Sequence, residues 1–506
     1  MVRREWATWE AVVMRVTLSG RPDASADVVV IGFFADRKPA PGALEATADS
    51  GVDVVAAVKG TPTFRGSVDD APIVIPPTAA KQPTIVIVGL GDRAAVGPDA
   101  IRTAALRASG SIRGRKRLAV TLGQAGDDRA ESVRAAVEGA IFGCFERPRP
   151  EGPARPAHES LPTSVTAVVS ADDARDADVK DAVVRGQITG DHTNWVRTLT
   201  DTPPGHLTPT MLAAEIEREL ADTGVKVHIW SQKQIRERGF GGLLAVAKGS
   251  AEQPAVVELC YGDQNAPLGI TGKGITFDAG GVNLKKPMSE VHWMKSDMAS
   301  AAATAGAVAA AARLGLEVGV CAILPLTENM VSGTATRPGD VCVHPNGMTT
   351  EVADTDCEGR VILADGIAYL VAKGASGVID IGTLTDAAGY GPDLWAGASN
   401  SDDLMSEVLA AGYAAGDRGW QMPLVPGYVE MMRSPNADLV NGTISIPDSS
   451  VLAATYLREF AGDTPWVHID TGSKAYITAP WAGWPAGATG APLRTLLRVL
   501  EGRSES

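Results

Sequence analysis

Three apolar runs constrain this chain most: LGITGKGITF (268–277), EVGVCAILPL (317–326) and SGVIDIGTL (376–384). They read as strands buried on both faces rather than strands with one wet face. Between the first two lies ASAAATAGAVAAAARLG (299–315), whose alanines favour helix. Strands and helices alternating in this way from Thr208 onward predict a mostly parallel sheet covered on both sides.

The first 170 residues show a second alternation. ADVVVIGFF, APIVIPP, TIVIVGLG, RLAVTLG and TSVTAVVS read as strands, with helices over 98–112 and 127–143. The Pro-rich stretch 146–162 reads as a surface loop, because a strand follows it. Residues 173–199 are polar and helix-permissive and stop at the paired prolines of TDTPPGHLTP. The predicted organisation is an N-terminal α/β domain (1–170), a connecting helix (171–200) and a C-terminal α/β domain (201–506). The extreme N-terminus, MVRREWATWEAVV, reads as a short arm or as an over-extended gene start with Met14 as initiator. Gly89-Leu90-Gly91-Asp92-Arg93-Ala94 imitates a dinucleotide-binding turn, yet no acid ends the next strand to hold a ribose.

Bulk properties exclude several classes. With 45% apolar and 21% charged residues the chain is an ordinary globular one, and 506 residues suffice for more than one core. A net charge of −14 argues against nucleic acid as a partner. The basic group Arg113, Arg115, Lys116 and Arg117 reads as a solvated strand entrance. Five cysteines without a C-x-x-C pattern argue against a disulfide framework or a sulfur-ligated zinc site. No apolar run reaches the ~18 residues of a membrane span, so a cytoplasmic protein is the expectation.

Chemistry concentrates in two stretches. DTDCEGRVILADGIAYL (354–370) crowds Asp354, Asp356, Glu358 and Arg360 at the mouth of a helix. GITGKGITFDAGGVNLKKPMSEVHWMKSDM (269–298) carries Lys273, Asp278, Lys285, Lys286 and Asp297 around strand ends. Singly, Asp297 reads as a helix N-cap and Asp278 as a turn carboxylate. Together, Asp278, Asp297, Asp356 and Glu358 sit where an open α/β sheet converges on one crevice. Four carboxylates gathered there repel one another unless cations are bound, and their oxygens suit divalent metals. The seven histidines form no metal-binding pair motif, and no G-x-S-x-G is present.

GKGITFDAGG, MKSDM and DTDCEGR resemble the signature blocks of the cytosolic leucine aminopeptidase family, hexameric two-metal peptidases. Weaker similarity runs through DTPPGHLTP, ENM…RPGDV, IGTLT, HID and GATGAPLRTLL. The resemblance implies a macro-like N-terminal domain, joined by a helix to a catalytic domain. It implies Lys273 and Asp297 on one metal, Asp356 on the other, and Asp278 and Glu358 bridging. Lys285 falls at the catalytic lysine, with Lys286 its neighbour, and Arg360 at the arginine that holds a bicarbonate acting as general base. Met294, Thr383, Leu384 and Asp386 fall at the substrate pocket. The implied activity is hydrolysis of the N-terminal peptide or amide bond of peptides by a homohexamer with two divalent ions per subunit. Zinc or manganese leads, with magnesium and cobalt open. The competing readings are an amidase for a modified amino-acid amide, and an inactive scaffold or DNA-binding accessory protein. Retention of all seven metal and catalytic residues and the acidic charge count against the last.

Four positions depart from the family pattern. Asp354 and Cys357 stand where Asn and Ala are usual, Asp386 replaces a pocket glycine, and Lys474 lies nearby in HIDTGSKAY. Asp386 is therefore expected to disfavour leucine. Paired with Lys474 it would select small or polar first residues, and unpaired it would select basic ones.

Overall fold

The structure is a computed structural model that describes residues 13–79, 82–148, 160–286, 288–385, 389–443 and 449–505. It divides into two compact units, one of residues 1–195 with 479–486 and one of residues 196–478 with 487–506. The chain passes from the first to the second inside a single helix, Ala177–Asp201.

The first unit holds six strands: β1 (Arg15–Ser19), β2 (Val28–Phe33), β3 (Ile73–Ile75), β4 (Thr84–Gly89), β5 (Arg117–Val120) and β6 (Ser164–Val168). Their order is β1-β6-β5-β2-β4-β3, with all neighbours parallel except β3 against β4. The expected helices appear as Pro98–Gly110 and Arg129–Gly143. β1 is a strand that the apolar runs did not reveal, and residues 1–12, the suggested arm, lie outside the described residues. Met14 is buried and Arg15 stands opposite Ser164, so the chain from Met14 onward belongs to the sheet. An edge strand with one exposed face gives little apolar signal, and its partner lies ~150 residues away, beyond any local pattern. The Gly89–Ala94 turn leads into a short 3-10 turn, Arg93–Ala95, and the helix begins only at Pro98, unlike a dinucleotide-binding turn. In the basic group, Arg117 pairs with Asp27 at 2.8 Å on the exposed surface.

The second unit is built on β7 (Lys226–Ile229), β8 (Ala255–Tyr261), β9 (Leu268–Gly272), β10 (Gly274–Asp278) and β11 (Val320–Asn329). A small sheet of β12 (Val341–Val343), β13 (Thr349–Glu351) and a later strand lies beside it, followed by β14 (Gly377–Gly382), β15 (Trp395–Ser399), β16 (Gly419–Gln421), β17 (Leu439–Val440) and β18 (Trp466–Asp470). The main sheet runs β16-β15-β18-β14-β9-β11-β8-β7, with β10 also on β11. Its centre, β18-β14-β9-β11, is parallel, and antiparallel strands lie towards the edges. The alanine helix Ala299–Arg313 explains its own composition. A methyl group on Gly272 would lie 2.5 Å from the Ser300 carbonyl oxygen, so helix and strand approach closer than larger side chains allow.

Candidate metal centre

Lys273 occupies the joint between β9 and β10. Its N–H donates to the Ile381 carbonyl at 2.8 Å, the last rung it shares with β14. Two residues on, the Ile275 N–H donates instead to the Asp297 carbonyl at 3.2 Å. The neighbouring strand is thus replaced by the segment before the alanine helix, and a crevice opens at the carboxyl ends of parallel strands. β10 delivers Asp278 to it, β11 delivers Asn329, and the helix Glu358–Ala372 delivers Glu358 in its first turn. A Cβ on Gly359 would lie 2.5 Å from Lys273 Cε, so the glycine after Glu358 leaves the room through which the lysine stem passes.

The carboxylates and lysines meet directly. Lys273 Nζ lies 2.7 Å from Asp297 Oδ2 and 2.7 Å from Glu358 Oε1. Lys285 Nζ lies 2.6 Å from Asp278 Oδ2 and 2.6 Å from Asp356 Oδ1. Oxygens of Asp278, Asp297 and Glu358 all come within 4.8 Å of one another. Asp297 does not cap its helix: the N-cap residue is Met298, without a side-chain bond, and the Asp297 carboxylate turns to Lys273 and the Thr383 hydroxyl. Asp278 does serve its turn, accepting from Gly280 N at 2.8 Å, while its other oxygen faces Lys285.

Burial sets the electrostatics. Loss of solvent, with Asp278 nearby, pushes Glu358 up to about 8. The same two causes push Asp356 up to about 6. Burial likewise raises Asp297. Burial works against the charge on Lys273, but Asp297, Glu358 and Asp278 outweigh it and hold the ammonium above its ordinary range. Lys285 is held up in the same way by Asp278, Glu358 and Asp356. A neutral, metal-ligating Lys273 is thus not the state these acids favour by themselves. With all four carboxylates ionised, two ammonium groups leave two negative charges in excess. Asp297 Oδ2 and Asp356 Oδ1 are buried, and among the described residues each is met by a lysine nitrogen with no further hydrogen-bond partner. An oxygen-rich, charge-deficient cluster of this kind fits divalent cations, which would also favour neutral Lys273.

Several supporting residues carried no role in the sequence reading. The Asn329 amide donates to Asp278 Oδ1 (2.8 Å), the Thr355 carbonyl (2.9 Å) and Glu358 Oε2 (3.3 Å). Asn441 clamps the loop before the helix, taking Ala353 N at 2.8 Å and donating to the Asp354 carbonyl at 2.6 Å and that of Cys357 at 3.2 Å. Asp354 accepts the Asp356 N–H at 2.9 Å, a bond that the usual Asn would also make. Asp470 shapes the next loop, accepting from Leu384 N at 3.2 Å and from the Thr385 hydroxyl at 2.6 Å. Only the fragments ENM and HID hinted at Asn329 and Asp470.

Of the pocket residues, Thr383 offers its carbonyl to Lys273 Nζ at 3.0 Å. Leu384 packs by the Gly359 Cα, since a Cβ there would lie 2.6 Å from its Cδ2. Met294 is half-buried in the 3-10 segment Met288–Ser296 and accepts Asp297 N at its carbonyl. Lys286 is exposed. Arg360 is buried and donates Nη1–H to the Asn441 carbonyl at 2.9 Å. Asp386 lies outside the described residues. Lys474, expected as its partner, is buried, and among the described residues its Nζ lies 2.5 Å from the Asp393 carbonyl and 3.6 Å from Asp417 Oδ1.

Comparison with known proteins identifies the family. The model of the cytosol aminopeptidase family catalytic domain matches residues 194–497, and that of the family's N-terminal domain matches residues 30–149. A probable cytosol aminopeptidase of Streptomyces avermitilis is 36% identical over 94% of this chain and 96% of its own length. One of Roseiflexus castenholzii is 34% identical over 96% and 99%. The solved structure of the bottromycin maturation enzyme BotP in complex with Mn superposes with a TM-score of 0.81 at 33% identity, covering 95% of this chain and 100% of BotP. With both family domains present in order and the carboxylate–lysine cluster at the carboxyl edge of its sheet, the chain belongs to the cytosol aminopeptidase family, a family of metallo-aminopeptidases.

Proposed function

We propose that this protein hydrolyses the N-terminal peptide or amide bond of peptides with two divalent ions held by the Lys273–Asp278–Asp297–Asp356–Glu358 cluster. The convergence of four carboxylates and two lysines in one crevice carries the reading. Lys273 and Asp297 would hold one ion, Asp356 the other, and Asp278 and Glu358 would bridge. Bound there, the ions supply an activated water and a seat for the free α-amine. Manganese is supported by the Mn complex of BotP, and zinc, magnesium or cobalt suit the same donors.

The chain's own residues supply the rest. Lys285 keeps its charge among Asp278, Asp356 and Glu358, and from the crevice it donates to the developing oxyanion. Arg360, two residues after Glu358, would hold a bicarbonate, which would supply a general base. Asn329 fixes Asp278 and Glu358 relative to each other, so the bridging oxygens are preorganised. Asp386 would select small or polar first residues where it pairs with Lys474, whose ammonium also meets the Asp393 carbonyl and Asp417, and basic ones where it does not, with leucine disfavoured in both cases.

A second reading, maturation of a modified peptide in place of general peptide turnover, is supported by the 33% identity to BotP and by the substitution at Asp386. A metal-supplemented screen against aminoacyl amides, dipeptides and longer peptides separates the two. The expected result is activity lost in chelator and restored by Mn²⁺ or Zn²⁺, and absent in Asp278→Asn together with lowered metal content. Full turnover by metal-stripped Asp278→Asn would sink the two-metal reading.

A further inference from the structure

A second cluster lies on the main sheet, outside the metal centre. Cys260 on β8 stands directly opposite Cys321 on β11 in an antiparallel pair. The Gly319 carbonyl accepts from Leu268 N on β9, so the backbone of residues 319 and 321 faces β9 and not β8. In the alternation of an antiparallel ladder, Cys260 and Cys321 therefore form a non-hydrogen-bonded pair, whose Cα atoms approach to roughly 4.5 Å. That spacing lies within disulfide reach, and the two sulfurs come within 4.8 Å of each other. Cys321 is buried, whereas Cys260 is half-exposed. On the other side of Cys260, β7 places Lys226 opposite it.

We infer that Cys260 and Cys321 are a peroxide-oxidised dithiol, Cys260 being the reactive thiol and Cys321 the one that resolves it. The Cys260 thiolate attacks one oxygen of hydrogen peroxide, the O–O bond breaks, and a sulfenic acid forms as hydroxide leaves. The Cys321 thiol gives its proton to that hydroxide and its sulfur attacks Cys260 sulfur. The S–S bond forms as the S–O bond breaks, and the departing hydroxide takes up a proton. Two thiols are oxidised by two electrons and one peroxide is reduced to two waters. Local surroundings support the division of labour: the adjacent Cys321 thiol, with help from Lys373 and Lys226, draws Cys260 down to about 7 against its burial and the Glu258 charge. The same pairing and burial push Cys321 up. A half-exposed low-pKa thiol beside a resolving thiol is an arrangement that favours selective oxidation.

Metal binding by Glu258, Cys260 and Cys321 is the competing use of the cluster. Glu258 is already taken by Lys373 Nζ (2.6 Å), the Tyr369 hydroxyl (2.9 Å) and Trp230 Nε1 (3.2 Å), which leaves a cation little to bind.

The test is peroxide treatment of the metal-loaded protein, followed by alkylation in denaturant and peptide mapping. Cys260 and Cys321 are expected to lose alkylation together, to appear in one cross-linked peptide pair, and to be recovered with dithiothreitol. Cys321→Ser should accumulate a dimedone-reactive sulfenic acid at Cys260, and Cys260→Ser should leave Cys321 reduced. Wild-type protein that keeps both thiols alkylable, or that gains oxygen at Cys260 without the cross-link, would overturn the inference without recourse to either variant.

Discussion

At the scale of single residues, identical side chains one position apart have opposite environments. Lys285 faces Asp278 and Asp356, whereas Lys286 is exposed. Lys285→Ala should lower kcat roughly 100- to 1000-fold, as removal of an oxyanion donor does, while Lys286→Ala stays near wild type. Steady-state kinetics on one aminoacyl amide decides between them, and the reverse ranking would reassign the lysine. Asp386→Gly should improve leucine amide by ~1–3 kcal/mol in kcat/KM, and a wild-type preference for Leu and Met would contradict it. Glu358 supplies a pH signature. Its folded pKa of about 8 exceeds the ordinary 4.5, so between those values the folded state keeps a proton that the unfolded chain has lost. Metal-free protein should therefore lose stability as pH rises through that window. A divalent ion displaces the proton, so the rise in Tm on adding Mn²⁺ should be larger at pH 8 than at pH 6. Equal rises in a thermal melt would refute this.

At the scale of elements, the loop between β13 and the helix Glu358–Ala372 must hold its acids against mutual repulsion. Asn441 does much of this from the far side of the loop, being fully buried and bonded to the backbone of Ala353, Asp354 and Cys357. Asn441→Ala leaves those buried groups without partners. A destabilisation of ~1–3 kcal/mol is expected, together with weaker metal binding. Urea unfolding and calorimetric metal titration check both halves. Unchanged metal affinity would show that the loop holds its shape without the clamp. Asn441 could not be found by local reading, since it lies more than eighty residues downstream of the loop it serves. Asp354 was visible in sequence, but its part as the acceptor of Asp356 N–H appeared only once the backbone was folded.

At the scale of the whole molecule, we propose from family membership that the protein assembles as a homohexamer. Light scattering should then report about six times 52.4 kDa, and a stable monomer at that mass would refute it. The sequence by itself determined the α/β class, which apolar runs become buried strands, and the carboxylates and lysines that crowd at strand ends and helix starts. Those signals are local: apolar runs, an alanine helix, and charges clustered at strand ends and helix starts. Tertiary structure decided what depends on partners distant along the chain. It drew β1 into the sheet against β6, set Asp297 against Lys273 and the Thr383 hydroxyl, and brought Lys474 to Asp417. It also set Cys260 across from Cys321, sixty-one positions apart, because strand register and not sequence spacing chooses which side chains face each other.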